Sequence, residues 1–64
     1  MGTIQIADVL RLRDGVKIEC HAWTREDGSY EAFWHEDGTR LTFFFDADGE
    51  QQIAWMKQYK LILK

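Results

Sequence analysis

Sixty-four residues, 45% of them hydrophobic and 30% charged, suffice for one domain, 1–64, with a single small core. The net charge of −3 disfavours bulk polynucleotide binding, and the single cysteine excludes an internal disulfide. No apolar run approaches the roughly 18 residues of a membrane-spanning helix, and no Arg- or Lys-flanked apolar stretch opens the chain, so membrane insertion and secretion are both disfavoured. A lone thiol, Cys20, fits the cytoplasm or another reducing intracellular compartment. Three Trp, two Tyr and four Phe supply the large side chains that so small a core requires.

The first predicted element runs from Thr3 to Leu12, where Ile4, Ile6, Leu10 and Leu12 alternate with polar positions. Asp8 interrupts that apolar phase, which predicts a bent or bulged strand. Asp14-Gly15 then opens a series of four Asp-Gly pairs, with Asp27-Gly28, Asp37-Gly38 and Asp48-Gly49 following. Asp accepts tight-turn dihedrals and Gly accepts positive φ, so each pair between apolar runs marks a hairpin turn. The chain reads as an antiparallel meander.

The second strand begins at Val16 and leads to a three-residue loop, Glu26-Asp27-Gly28, which sets Cys20 opposite Trp34 and Ala22 opposite Ala32. A two-residue turn at Asp37-Gly38 sets Trp34 opposite Leu41, Ala32 opposite Phe43 and Tyr30 opposite Phe45. A loop one residue longer would oppose Trp34 to Arg40 and Ala32 to Thr42, so alternation selects the shorter turn. With Ala47-Asp48-Gly49 as a three-residue loop, Phe43 faces Ile53 and Leu41 faces Trp55, which predicts a strand over 51–56. The last eight residues, 57–64, are strand or short helix: Tyr59, Leu61 and Leu63 alternate, but Gln, Lys and Leu are good helix formers.

These registers converge on one predicted core: Val16, Ile18, Cys20, Ala22, Tyr30, Ala32, Trp34, Leu41, Phe43, Phe45, Ile53 and Trp55. The fold class is all-β, a single antiparallel meander of about five short strands, which at this length would curl into a small SH3-like barrel to hide its edges.

The opposite face then carries His21, Trp23, Phe33, Phe44, Ala54 and Met56, with Glu31 between Trp23 and Phe44. Aromatic side chains gathered on an outer face are either covered or used. One expectation is that Leu61-Ile62-Leu63 folds over them as a second layer; the others are self-association and a ligand surface.

Catalytic and metal signatures are lacking. His21, His35 and Cys20 are the soft-ligand candidates, but the register sends Cys20 and His21 to opposite faces and leaves His35 at a turn. Glu31 has no second carboxylate for acid–base work. Asp46-Ala47-Asp48-Gly49 lacks the distal Glu and further oxygen ligands of a calcium loop and is explained by its turn. The expectation is a non-enzymatic protein without cofactor or metal.

From Gly15 to about Tyr59 the order of residues resembles the Tudor family of small barrels. Gly15, Cys20, Ala22, Trp23, Glu26-Asp27-Gly28, Tyr30 and Ala32 are followed by Phe45-Asp46 and Gly49-Glu50. That resemblance implies an aromatic cage for a methylated lysine or arginine, made by Trp23, Tyr30 and Phe45 with Asp48 as charge partner. The register, in contrast, sends Tyr30 and Phe45 inward and Trp23 outward. The Asp-Gly hairpins and absence of proline also resemble idealised designed proteins, whose members need no natural ligand.

Three functions follow as expectations. The first is a binding module that grips a peptide or protein through Trp23, Phe33 and Phe44 with Glu31, its ligand contacts extended by Tyr30 and Phe45 where the Tudor resemblance holds. The second is a designed or self-associating barrel. The third is a nucleic-acid binder using Arg11, Arg13, Lys17, Lys57 and Lys60, which the turn acids Glu26, Asp27, Glu36, Asp37, Asp46, Asp48 and Glu50 oppose.

Overall fold

The computed structural model describes residues 3–53 and 57–64. Its five strands, β1 (Gln5–Arg11), β2 (Val16–Thr24), β3 (Tyr30–Glu36), β4 (Thr39–Phe45) and β5 (Tyr59–Leu63), form one antiparallel sheet in the order β4-β3-β2-β1-β5. The sheet curls into a half-barrel. The first four strands are a meander, and the chain then crosses the open side so that β5 pairs with β1.

Turn chemistry sets the registers as expected. Asp37 and Gly38 both have positive φ, 51° and 77°, which is the type I′ geometry that matches strand twist in a two-residue hairpin. Trp34, Ala32 and Tyr30 accordingly stand opposite Leu41, Phe43 and Phe45. At Glu26-Asp27-Gly28 the Arg25 amide donates to the Ser29 carbonyl at 2.7 Å, and Ala22 stands opposite Ala32. At Ala47-Asp48-Gly49 the Asp46 amide donates to the Glu50 carbonyl, while Asp46 Oδ1 accepts from the Asp48 and Glu50 amides at 2.9 Å each. Asp27 Oδ1 and Asp46 Oδ1 serve as the local acceptors that hold these two loops.

Closure depends on the few residues after the last Asp-Gly turn. Gln51 bridges back to Phe45 on β4, and Glu50 bridges to Lys60 on β5. The Leu61 amide donates to the Gly49 carbonyl at 2.9 Å. Buried Gln51 adds its side chain, whose Oε1 accepts from the Gln58 and Tyr59 amides at 2.9 and 3.1 Å. The two edges of the sheet are thereby tied across this segment, and edge backbone groups that would otherwise be unpaired find partners.

The core consists of Ala7, Val9, Cys20, Ala22, Ala32, Trp34, Phe45, Tyr59 and Leu61, with Ile18, Tyr30, Leu41 and Phe43 packed against it. Small residues line the middle strands, and the space inside the curl is filled by rings: Trp34 meets Tyr59 edge-on at 4.9 Å and Phe43 at 5.7 Å. Burial drives the desolvation that lifts the Cys20 thiol to about 11, so this cysteine behaves as a small apolar side chain.

Four expectations are corrected. β1 is regular, pairing without a bulge from Gln5↔Ala22 to Arg11↔Val16, and buries Ala7 and Val9 rather than Ile4, Ile6 and Leu12. The reason is Asp8, which lies in the phase of the larger residues. Turned outward, its carboxylate meets Lys64 Nζ at 3.5 Å; turned inward, it would be desolvated without a partner. Val16 begins β2 beyond the edge of the core and is 44% exposed. Ile53 is 49% exposed, because after Gln51 the chain bends at Gln52 and Ile53, where a strand was expected from 51; residues 54–56 of that expected strand lie outside the described residues. Trp55 and the pairing expected for it lie outside the described residues. Finally, Leu61-Ile62-Leu63 does not fold over the outer face. It belongs to β5, a strand and not a helix, on the far edge beside β1. No helix among the described residues is long and apolar enough to cross a membrane.

Candidate binding face

Strands β2, β3 and β4 carry alternate side chains outward, and their pairing brings these into rows. Trp23 stands opposite Glu31, which stands opposite Phe44; His21 stands opposite Phe33, which stands opposite Thr42. The His21 and Phe33 rings stack at 5.3 Å and 16°, and Trp23 tilts against Phe33 at 5.9 Å. Trp23, Glu31 and Phe33 are half-buried by these mutual contacts, whereas His21 is exposed and Phe44 is 40% exposed. Ile6, opposite His21 on β1 and 52% exposed, extends the apolar surface by one strand.

Two arginines complete the face. The Arg40 guanidinium lies 4.4 Å from the centroid of Phe33, and that of Arg25 lies 4.6 Å from the centroid of Phe44. Both distances fall within cation–π range. Arg40 reaches Phe33 along the diagonal, because Thr42, and not Arg40, is the direct partner of Phe33 on β4. Arg25, Arg40 and Ile6 were not expected from the sequence. Alternation places the root of a long side chain but not its tip, and the first strand reads in sequence only as an alternation broken by Asp8, with no face given to Ile6.

The structure therefore brings Trp23, Glu31, Phe33 and Phe44 together on one outer face and separates them from Tyr30 and Phe45. Tyr30 packs on the inner side, and Phe45 is fully buried. The cage of Trp23, Tyr30 and Phe45 is not assembled, since its members occupy opposite sides of the sheet. Ala54 and Met56, expected on the outer face, lie outside the described residues.

A second polar cluster closes one end of the core. Arg11 bridges two acids, donating from Nε to Asp14 Oδ1 at 3.0 Å and from Nη1 to Glu36 Oε1 at 2.6 Å. The Tyr59 hydroxyl also donates to Glu36. The Tyr59 and then the Arg11 hydrogen bond hold the Glu36 carboxyl below its ordinary range against the opposing effect of burial. Burial, followed by the bond to Glu36, lifts Tyr59 to about 12. The buried Trp34 Nε1–H lies near enough to favour the charged form of Glu36, yet reaches no acceptor in hydrogen-bond geometry among the described residues. Arg11, Glu36 and Tyr59 spend these groups on one another, so the cluster reads as a structural clamp.

The remaining basic residues are largely spoken for. Lys57 and Lys60 pair with Glu50 at 3.6 and 2.8 Å, and Lys64 pairs with Asp8 and Glu19. Arg13 approaches Asp14 at 4.0 Å. Of the five residues expected to contact nucleic acid, Arg11, Arg13, Lys57 and Lys60 thus face carboxylates of this chain, and Lys17 does not. Among the described residues no three His, Cys, Asp or Glu side chains converge as a metal site. No known protein family, curated protein or solved structure matches the chain.

Proposed function

We propose that this small barrel is a non-enzymatic binding module whose outer face, built from Trp23, Phe33 and Phe44 with His21 and Ile6, grips a peptide or protein partner. The observation that carries this reading is the position of the C-terminal strand. The segment expected from the sequence to cover these rings, Leu61-Ile62-Leu63, is used at the opposite edge of the sheet, beside β1. Among the described residues His21 and Phe44 remain exposed and Trp23 and Phe33 half-exposed, in a cluster where Trp and aromatic neighbours commonly supply most of a partner's binding energy.

A Tudor-type cage is the finer form of this reading, and the burial of Phe45 weighs against it. The open apolar positions, Ile6 and Phe44 among them, also favour self-association as the competing use of the same face. The pairing of four expected contact bases with the chain's own acids weighs against nucleic acid.

The test is a two-dimensional NMR titration of the labelled chain against a panel of unstructured peptides. Shift changes concentrated at His21, Trp23, Phe33 and Phe44, and abolished by Trp23→Ala with the hairpin amides unmoved, are expected. Changes confined to the inner face or the turns overturn the reading. Shifts at the same residues that follow protein concentration alone, with a matching rise in light-scattering mass, assign the face to a second copy.

A further inference from the structure

We infer that the partner of the aromatic face is an acidic peptide segment, an inference that rests on the reading of that face as a binding surface. The argument begins with the eight basic side chains. Arg11, Arg13, Lys57, Lys60 and Lys64 each have a carboxylate of this chain within 4.0 Å, which leaves Lys17, Arg25 and Arg40 without one among the described residues. Two of those three lie directly over rings of the candidate face. Of the two acids that follow Arg25, Glu26 makes no ion pair with it within 4.0 Å among the described residues, and Asp27 accepts from both the amide and the hydroxyl of Ser29 and is committed to its turn.

A guanidinium placed over a ring has surrendered part of its hydration without being neutralised. Its N–H groups still point past the ring, in the planar fork that suits a carboxylate. The ring beneath limits the positions the side chain can take, so less rotamer freedom remains to be lost on binding. The face thus presents apolar rings flanked by two pre-positioned, unpaired donors. Its complement is an apolar or aromatic side chain with carboxylates on either side.

Other ligands fit less well. A methylated lysine or arginine on Phe33 or Phe44 would have to displace the arginine already over that ring, and on Trp23 it would sit near the like charges that flank the face. A polyphosphate chain would find two cations on the face, with the remaining bases largely cancelled by the chain's own acids. Glu31 refines the complement. It lies between Trp23 and Phe44, so it repels a carboxylate at the centre and directs the partner's acids outward to the arginines.

The test uses three probes in NMR titrations against the intact chain: a capped Glu-Glu-Trp-Glu-Glu pentapeptide, its Lys-Lys-Trp-Lys-Lys counterpart, and a ten-residue oligothymidylate. The acidic pentapeptide is expected to shift Trp23, Phe33 and Phe44. Arg25→Gln and Arg40→Gln should each weaken it by roughly three- to five-fold, the scale of an exposed ion pair. Glu31→Gln should tighten it, Lys17→Gln should leave it unchanged, and Arg25→Lys should retain part of the affinity that Arg25→Gln loses. Equal or tighter binding of the lysine peptide at the same residues overturns the acidic partner and leaves the binding face standing. Preference for the oligothymidylate does likewise in favour of a nucleic acid. Failure of all three probes to move these residues overturns the inference and the binding reading together. Since all four positions are on the sheet's outer side or in turns, unchanged hairpin amides in each variant confirm that the fold has survived.

Discussion

Glu36 shows how much of this fold can hang on one carboxylate. It sits at the rim of the core, takes hydrogen bonds from Tyr59 and Arg11, and is held below its ordinary range by them. The sign of the linkage follows. A carboxyl whose folded pKa is depressed stabilises the fold above its unfolded value, near 4.5, and that stabilisation is lost as the pH falls through the folded value. Glu36→Gln is therefore expected to lower the melting temperature at neutral pH, by an amount equivalent to about 1–2 kcal/mol. The gap to the unsubstituted chain should narrow as the pH drops below 4.5. Thermal melts of both proteins from neutral to acid pH check this; a gap that stays constant would show that Glu36 acts through shape alone. Tyr59→Phe removes one of the two donors while keeping the ring that packs on Trp34 and Phe43. It should cost about 1 kcal/mol at neutral pH and, like Glu36→Gln, little in acid.

Elements differ in how readily they can be read, for reasons visible in particular residues. β2, β3 and β4 were legible because two independent signals agree there: Asp-Gly turn geometry sets the register, and alternation then has to send Ala22, Ala32 and Trp34 inward together. β1 reads in sequence only as an alternation broken by Asp8, because both of its faces are apolar and its larger residues, Ile6 and Leu10, point outward. Asp8 was the clue, a carboxylate that could not share the inner phase, and it was read as an interruption instead. Among the described residues after Gly49, Gln52 and Ile53 form a bend and not a strand, where the chain begins its crossing between the sheet edges. That crossing yields a prediction at the scale of one turn. Gly28 and Gly49 both have φ near 85°, so alanine strains the backbone at either. A Cβ at Gly28 meets nothing, whereas at Gly49 it presses into the backbone carbonyl of Leu61, across the contact that joins β5 to the turn. Gly28→Ala is expected to cost about 1 kcal/mol. Gly49→Ala should cost several-fold more and speed amide exchange at Leu61, which hydrogen-exchange NMR would resolve. Equal losses in the two variants would mean that closure adds little to stability.

For the molecule as a whole, one curved sheet separates two sets of aromatic residues with different duties. The candidate face was legible at Trp23, Glu31, Phe33 and Phe44 because a correct register decides both sides at once. The arginines over it were not, since flexible side chains reach diagonally and no periodicity records where they end. The division of labour can be tested at two consecutive residues. Phe45 is fully buried against the closing segment, and its truncation should cost about 3–5 kcal/mol. For a domain of this size that is most of the available stability, so Phe45→Ala should be largely unfolded at room temperature. Phe44 shares only the outer face and the Arg25 guanidinium, a contact worth roughly 0.5–1 kcal/mol where exposed. Phe44→Ala should shift the melting temperature by only a few degrees while removing peptide contacts from the face. A Phe44→Ala variant as unstable as Phe45→Ala would mean that the outer rings are held for the fold's own sake, and a surface kept for folding has no need of a partner.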